Sequence, residues 1–445
     1  MSGDPTDLDA TALANAIRSG VISPVDVLAA YRRRVAELNP SLNALVTFFP
    51  DADERARQAE RAVRRGAALG PLHGVPVSIK DTFDTTGVRT TRGSLMFADH
   101  VPERNAAAVN GLIAAGAIPF AKANTPEFAL WWETDNRVFG LTVNPWDHTR
   151  TAGGSSGGDA AAVAARLTTL GLGSDLGGSI RVPAAHCGVV GFKPTHDRIS
   201  LNGHWPGVLR QYTAVGVLTR SVRDAALAFS VLAGSAETPR LNREPRVGWA
   251  AGKVVGPLDP DIASTVAAAA EALAAEPLPL PRLEATDCNE VTLQLYRAES
   301  SEYFEAVVGE RRDLLHAALR RRFEAPPPMP EELGVAREAV KRLREELDDA
   351  FRRVDALVLP AVPAPAPPHD QESLVVDSVP YHPRAIMRAT IPFNLAGMPA
   401  LVVPFGNSRD RLPLAVQLVA RRGEEETLFV LGGILEKCRP YPDLA

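Results

Sequence analysis

Apolar residues in this 445-residue chain fall into two kinds of pattern. Leu28, Tyr31 and Val35 recur at helical spacing behind a Ser-Pro cap that starts at Ser23, which predicts an amphipathic helix. Elsewhere, short unbroken apolar runs such as 356–360 have the length of buried strands. The two kinds alternate along the whole chain, which predicts an α/β protein built in layers.

The same patterns suggest how one large domain, residues 1–445, is organised. Residues 1–70 are mainly helical, and 71–235 alternate strands and helices around glycine-rich loops. Residues 285–355 read as a helical insertion that could line a pocket, with long helices expected at 291–322 and 331–353. No internal repeat and no dividing linker is evident.

Charge, cysteine content and the lack of long apolar runs limit the kinds of protein that this sequence can encode. A formal net charge of −5 argues against binding to nucleic acid or to an anionic membrane. Three cysteines, Cys187, Cys288 and Cys438, neither form a disulfide framework nor show metal-ligand spacing. The first ten residues lack the apolar core of a signal peptide, and no run of about eighteen apolar residues occurs. We therefore expect a cytoplasmic protein.

Two glycine-rich loops that carry serines lie close together, at 153–158 and 177–179. Glycine permits close backbone approach and positive φ, so such loops can direct N–H groups and hydroxyls at a ligand. A single loop of this kind is commonplace between strands and helices. Two within about thirty residues favour a functional site.

Three chemistries fit these loops to different degrees. Phosphate binding fits poorly, because the lysine that closes a Walker loop is missing and the glycine spacing is one residue off a dinucleotide fingerprint. Ser155 formally fits the G-x-S-x-G nucleophile motif, with His186 or His204 downstream, but a poor strand precedes it. Alternatively Ser179 is the nucleophile, with the preceding glycines able to direct N–H groups at an oxyanion, and Ser155 and Lys80 could form a relay that supplies its base.

Several further motifs give the sequence a family resemblance. They are HGVPVSIKD around Lys80, GGSSGG around Ser155, GSDLGGSIRVPAAHCGVVGFKPT around Ser179, and then DALVLPAVPAPAP, IPFNLAGMPALVVPFG and PLAVQLVARRGEEETLF. Lys80 and Ser155 are 75 residues apart, and Ser155 and Ser179 are 24 apart. In motifs, order and spacing the chain resembles the amidase signature hydrolases over most of its length.

The resemblance implies a fold, a mechanism and roles for residues. The fold is a single α/β/α layered domain with a mixed central sheet. Ser179 would attack the carbonyl, Ser155 (after a cis peptide bond) would bridge it to Lys80, and burial would keep Lys80 neutral. The oxyanion hole would comprise the N–H groups of Leu176, Gly177, Gly178 and Ser179, and the supporting residues would be Asp175, Arg181 and Ser156. Neither a metal nor another cofactor is implied.

The chain departs from the family pattern in a few places. Thr151-Ala152 stands where a proline is common, Asp159 replaces a small residue, and Arg166 replaces a glycine. None is expected to touch the three catalytic residues. Residues 201–217 do not resemble the tRNA-dependent amidotransferase branch. Glutaminase activity and a partner complex are therefore less favoured.

Aromatic residues flank the loops where family members build substrate pockets. We expect pocket residues among Phe128, Trp131, Trp132, Trp205, Leu209 and Tyr212. The expected reaction is hydrolysis of linear amides through a seryl acyl-enzyme, with neutral aryl or alkyl amides or anilides preferred over free glutamine. The alternatives are an esterase or carbamate (urethane) hydrolase, a glutaminase-type amidotransferase subunit, and a non-catalytic binding subunit. We expect a monomer or homodimer that acts on a small molecule.

Overall fold

The computed structural model describes residues 4–234, 243–250, 255–324 and 326–438. Within these ranges the strands are β1 Leu45–Phe48, β2 Pro76–Lys80, β3 Ile118–Ala123, β4 Val143–Asn144, β5 Asp147–Thr151, β6 Leu170–Asp175, β7 Val190–Lys193, β8 Ala214–Thr219, β9 Val247–Trp249, β10 Glu276–Pro277, β11 Ala356–Pro360, β12 Leu374–Val376, β13 Val379–Tyr381, β14 Ala400–Asn407 and β15 Pro413–Ala420. The helices are α1 Ala10–Arg18, α2 Pro24–Leu42, α3 Ala52–Arg64, α4 Ala107–Ala114, α5 Gly157–Ala164, α6 Arg181–Cys187, α7 Val222–Ala233, α8 Pro260–Ala272, α9 Pro281–Ala285, α10 Cys288–Val308, α11 Ala317–Glu324, α12 Pro330–Arg353, α13 Ile391–Leu395 and α14 Glu425–Cys438.

One large mixed sheet organises the fold. In the described part of the chain it contains eleven strands in the order β1-β3-β2-β6-β8-β7-β14-β15-β11-β9-β10. β2 is parallel to both β3 and β6, and β11, β9 and β10 are parallel to one another. The remaining pairs are antiparallel. The mixed central sheet expected from the sequence is therefore confirmed.

Both faces of this sheet are covered. Along β11, Ala356 and Val358 belong to one buried cluster, whereas Leu357 and Leu359 belong to a second. Because successive side chains of a strand point to opposite faces, the two clusters lie on opposite sides of the sheet. The second cluster draws largely on α10 and α12, so these two helices cover one face there. This arrangement confirms the α/β/α layering.

Local signals account for several helix boundaries. The hydroxyl of Ser23 accepts a hydrogen bond from the Val25 N–H, and a proline follows at the first helical position, so α2 begins where the cap predicts. The single helix expected at 291–322 is wrong. Gly309, with φ of 51°, ends α10, and α11 begins only at Ala317. Within the described ranges, none of the helices combines the length and apolarity needed to cross a bilayer.

The register of β2 and β6 positions the two serine-bearing loops. Ser78 pairs with Gly171 and Ile79 with Leu172, so these parallel strands end at the same edge of the sheet. Lys80 is the last residue of β2, and β6 ends at Asp175, four residues before Ser179. In α/β sheets, ligands bind in the crevice outside the carboxyl ends of parallel strands. The pairing of two sequence-distant strands thus brings Lys80 and Ser179 to one edge.

Candidate functional site

Lys80 and Ser155 are in direct contact. The Lys80 Nζ donates to the Ser155 Oγ at 2.7 Å and to the Ser174 Oγ at 3.1 Å, and the lysine is completely buried. The Gly154–Ser155 peptide bond is cis, as the family resemblance implies. The lysine that the sequence places at a strand end is therefore an interior residue that contacts the first glycine loop.

Residues 131–134 hold that loop in place. The Thr134 hydroxyl donates to the Gly153 carbonyl at 2.8 Å and accepts from the Gly157 N–H at 3.1 Å. A side chain at Gly154 would collide with the backbone of this segment, since a Cβ there would lie 2.9 Å from the Trp132 carbonyl carbon. Only glycine at 154 permits this close approach.

The Ser179 loop is fixed by a fully buried ion pair. Arg181 donates from Nε to the Asp175 Oδ2 at 3.0 Å and from Nη2 to Oδ1 at 2.9 Å, with both side chains completely buried. The guanidinium also bonds Gln417, while Asn394 donates to the Asp175 carboxylate. The arginine holds the pKa of Asp175 below its ordinary value despite burial. These two residues support the loop, as expected from the resemblance.

The two loops meet through the backbone rather than through the serine hydroxyls. The Ser156 N–H donates to the Ser179 carbonyl at 3.0 Å, which gives Ser156 its supporting contact. No hydrogen bond joins the described side chains of Ser155 and Ser179. The Ser155–Ser179 link of the expected relay thus remains a prediction.

The expected oxyanion hole needs one correction. The Gly178 N–H donates to the Asp175 Oδ1 at 2.7 Å, so it is already occupied and does not face a ligand. In the described part of the chain, the N–H groups of Leu176, Gly177 and Ser179 have no protein acceptor. Gly178 has a different role, because its φ of 125° and a Cβ position 2.2 Å from the Thr390 Oγ1 exclude any side chain.

Burial tunes the lysine for proton transfer. Desolvation lowers the pKa of Lys80 to about 7, although Asp159 and Asp175 oppose the shift by favouring the charged form. An ordinary lysine near pKa 10.5 is almost wholly protonated at neutral pH. A large fraction of Lys80 is therefore neutral there and able to accept a proton.

In the described structure Asp159 makes no hydrogen bond to a catalytic residue, as expected, but its charge acts on Lys80. It is completely buried in the first turn of α5, and its Oδ1 accepts from the Ser78 hydroxyl at 2.7 Å. Ser78 and Lys80 are two residues apart on β2, so their side chains leave the same face. Burial raises the pKa of Asp159, and the Lys80 charge opposes that rise. Of the other departures, Arg166 pairs with Asp7 at the surface, and the Thr151 hydroxyl accepts from the Gly153 N–H.

Neither histidine of the alternative mechanism is placed to act as a base. His186 is buried next to Gly153, and neither of its ring nitrogens has a hydrogen-bond partner among the described residues. Burial lowers its pKa to about 3. His204 lies edge-on to Phe83, and burial lowers its pKa to about 3 as well. Lys80 therefore remains the basic group in contact with Ser155.

A narrow pocket lies over Ser179. It is lined by Ser179 and Gly177 and by a mainly apolar set of side chains that includes Leu130, Trp131, Trp132, Leu176, Met387 and Ile391. Trp131 and Trp132 also line a wider vestibule of about 700 Å³. The two tryptophans therefore lie where the sequence predicts, although Trp132 is only 2% exposed.

The other four expected pocket residues do not line this pocket. Phe128 and Trp205 pack together at 4.7 Å between ring centroids, and both contact Phe304 of α10. Leu209 is buried in the same cluster, and Tyr212 packs against it. These residues pack around α10 rather than around Ser179, so their closeness in sequence to the glycine loops does not place them in the pocket.

Three polar pocket residues were not found from the sequence. Thr292 and Tyr296 come from α10, inside the 285–355 insertion named as a possible pocket wall, and Arg384 comes from the segment before α13. The pattern of α10 marks these residues only as part of a helix, and Arg384 lies more than 200 residues from Ser179. Only the tertiary fold brings them to the pocket.

Chemically, the site combines a buried amine of lowered pKa, a serine bonded to it, a second serine that lines a pocket, and backbone donors without a protein acceptor among the described residues. A neutral amine can take a proton through one hydroxyl from another. N–H groups without protein acceptors suit a developing oxyanion. The arrangement is suited to acyl transfer.

Comparison with known proteins agrees with this chemistry. A family model described as Amidase matches residues 26–429. A glutamyl-tRNA(Gln) amidotransferase subunit from Chloroflexus aggregans is 33% identical over 98% of both chains. A crystal structure of an amidase superposes with a TM-score of 0.90 at 35% identity, covering 97% of this chain and all of the other. A 6-aminohexanoate cyclic dimer hydrolase superposes with a TM-score of 0.83 at 29% identity over 98% of each chain.

Proposed function

The chain belongs to the amidase signature family, and from that premise we propose that it hydrolyses the C–N bond of small-molecule amides through a seryl acyl-enzyme. The observation that carries the proposal is the 2.7 Å contact between the Lys80 Nζ and the Ser155 Oγ inside a fully buried site. It couples a base of lowered pKa to a serine of the first glycine loop.

The proposed steps use only groups of this chain, the substrate and water. Neutral Lys80 takes the proton of Ser155, which takes that of Ser179 as the Ser179 Oγ attacks the carbonyl carbon. The N–H groups of Leu176, Gly177 and Ser179 stabilise the oxyanion. As the C–N bond breaks, the proton returns through Ser155 to the leaving nitrogen. Water then hydrolyses the ester on Ser179 by the same relay.

The proposed substrates are linear aryl or alkyl amides and anilides whose groups next to the scissile bond are neutral. Support comes from the apolar walls around Ser179, where burial contributes about 25 cal/mol per Å² of apolar surface. Two cations from the segments that flank the glycine loops are engaged elsewhere, since Arg137 bonds the Asp313 carbonyl and Arg210 the Leu201 carbonyl. In this proposal the enzyme works as a monomer or homodimer.

A serine-directed fluorophosphonate tests the mechanism. Ser179→Ala should abolish both labelling and amide turnover. Ser155→Ala should slow both by orders of magnitude, and Ser264→Ala, a surface change on α8, should alter neither. Mass spectrometry identifies the labelled peptide. An adduct on Ser155 instead of Ser179 would contradict the assignment of Ser179 as the nucleophile.

A glutaminase-type amidotransferase subunit is the second candidate, favoured by relatives of that name that are 33–35% identical over more than nine-tenths of the chain. Matched kinetics separate the two functions. The proposed function requires a higher kcat/KM for an anilide than for glutamine, and the reverse order would favour the second candidate. Esters and carbamates of the same acyl group belong in the panel, because an acyl-enzyme can form from them as well.

A further inference from the structure

Arg384 stands out among the residues around Ser179. It is the one cationic side chain among the described residues that line the Ser179 pocket, whose walls are otherwise mainly apolar. It also lines the vestibule, together with Trp131 and Trp132. Residues shared by both cavities mark the boundary between them, and we call this boundary the pocket mouth. Ser179 lines only the inner cavity.

A second polar group in the pocket points independently to a ligand. Thr292 is 7% exposed, and its buried hydroxyl has no hydrogen-bond partner among the described residues. Buried hydroxyls nearly always have a partner. Because Thr292 lines the same pocket as Arg384, a substrate group can supply the missing one.

Negative side chains lie outside the pocket. Glu133, Asp370 and Glu372 line the vestibule, but none of them lines the Ser179 pocket. Glu133 is moreover held by His369, whose Nδ1 lies 2.6 Å from its Oε1. Among the described residues that line the Ser179 pocket, Arg384 therefore has no carboxylate beside it, whereas the carboxylates line only the vestibule side.

We propose that the amide substrate carries a carboxylate, which Arg384 binds at the pocket mouth while the Thr292 hydroxyl donates to it or to the adjoining polar atom. The inference rests on the proposed function and narrows it: the group beside the scissile bond is neutral, and the far end is anionic. A guanidinium has five N–H donors in a fork that matches a carboxylate, so a ligand can be added to the contacts that Arg384 already makes. One cation suits a monoanionic carboxylate better than a doubly charged phosphate.

Two pairs of matched substrates test this. The acyl pair is glutaric acid monoanilide and hexananilide, and the leaving-group pair is 4-acetamidobenzoate and 4-methylacetanilide. The released amine is measured by chromatography, and the readout is the ratio of kcat/KM for the anionic and the neutral member. We expect a ratio of at least about 10 in one pair, since charged hydrogen bonds to a buried site carry such discrimination.

Variants test whether Arg384 causes the preference for the anionic substrate. Arg384→Gln should lower it about tenfold or more, Arg384→Lys should retain part of it, and Thr292→Val should lower it a few-fold. Arg321→Gln is the matched control, because Arg321 lines the vestibule but not the pocket, and it should keep the wild-type ratio.

The outcomes separate this inference from the function on which it rests. Hydrolysis of the neutral members with ratios of 1 or below in both pairs overturns the carboxylate alone. An undiminished ratio in both Arg384→Gln and Thr292→Val does the same. If wild-type protein cleaves none of the four amides any faster than Ser179→Ala does, the proposed function falls as well.

Discussion

Replacing Asp159 with asparagine should make the enzyme active at lower pH. The change removes a buried charge and keeps the shape and the acceptor for Ser78. Because a carboxylate near Lys80 favours the protonated amine, its removal lowers the pKa of Lys80 further. The acid limb of kcat/KM, which requires the neutral amine, therefore moves to lower pH.

The strand geometry sets the size of the shift. Two residues along β2 place the Ser78 and Lys80 side chains about 6.6 Å apart, so the Asp159 carboxylate lies at a comparable distance from the amine. At an effective dielectric of about 20, unit charges at that distance interact by roughly 2.5 kcal/mol. That is worth about 2 pKa units at most. Asp159 has a raised pKa and is partly protonated itself, so we expect a shift of about 1–2 units.

The assay is kcat/KM for one anilide between pH 5 and 9. With a pKa of about 7, roughly a tenth of wild-type Lys80 is neutral at pH 6. In Asp159→Asn, about half or more should be neutral, which raises kcat/KM at pH 6 relative to its plateau about fivefold. Asp53→Asn, on the exposed face of α3, is the control. An unmoved limb, or one displaced to higher pH, would refute the proposed action of Asp159 on Lys80.

Two further predictions concern the loop and the pocket. Asp175→Asn should lower the free energy of unfolding by about 3–5 kcal/mol in denaturant titrations, because it leaves Arg181 buried without its counter-charge. The same change should lower kcat by displacing Ser179. Unchanged stability would contradict the role assigned to Asp175. Trp131→Ala should raise KM for an anilide with little change in Tm, whereas Trp205→Ala should lower Tm with a smaller effect on KM. The opposite result would exchange their assignments as pocket and core.

Sequence reasoning worked where the chemistry depends on short motifs. The contact of Lys80 with Ser155 and the Asp175–Arg181 pair follow from residues in signature segments whose spacing is fixed by adjoining strands. The α/β layering likewise follows from alternation of apolar patterns. The Asp175–Arg181 pair is local in sequence, whereas the Lys80–Ser155 contact joins two signature motifs that are 75 residues apart.

Sequence reasoning failed where function depends on which way a side chain points after folding. Trp205 and Leu209 follow Ser179 closely in the chain but face the insertion rather than the pocket. Arg384 and Thr292 are far from it in the chain and line it. Asp159 looked remote because motif comparison records its identity but not its contact with Ser78. Orientation of this kind is set by tertiary packing, which no spacing in one sequence encodes.

The segment at 131–134 serves two parts of the site at once. Trp131 and Trp132 form pocket wall, and Thr134 fastens the glycine loop that presents Ser155. A substitution in this segment that alters substrate range can therefore also displace Ser155. The part of the pocket wall that comes from α10, Thr292 and Tyr296, makes no hydrogen bond to either serine loop in the described structure. Substrate range should therefore diverge most readily through α10, and directed evolution of new specificity is best begun there.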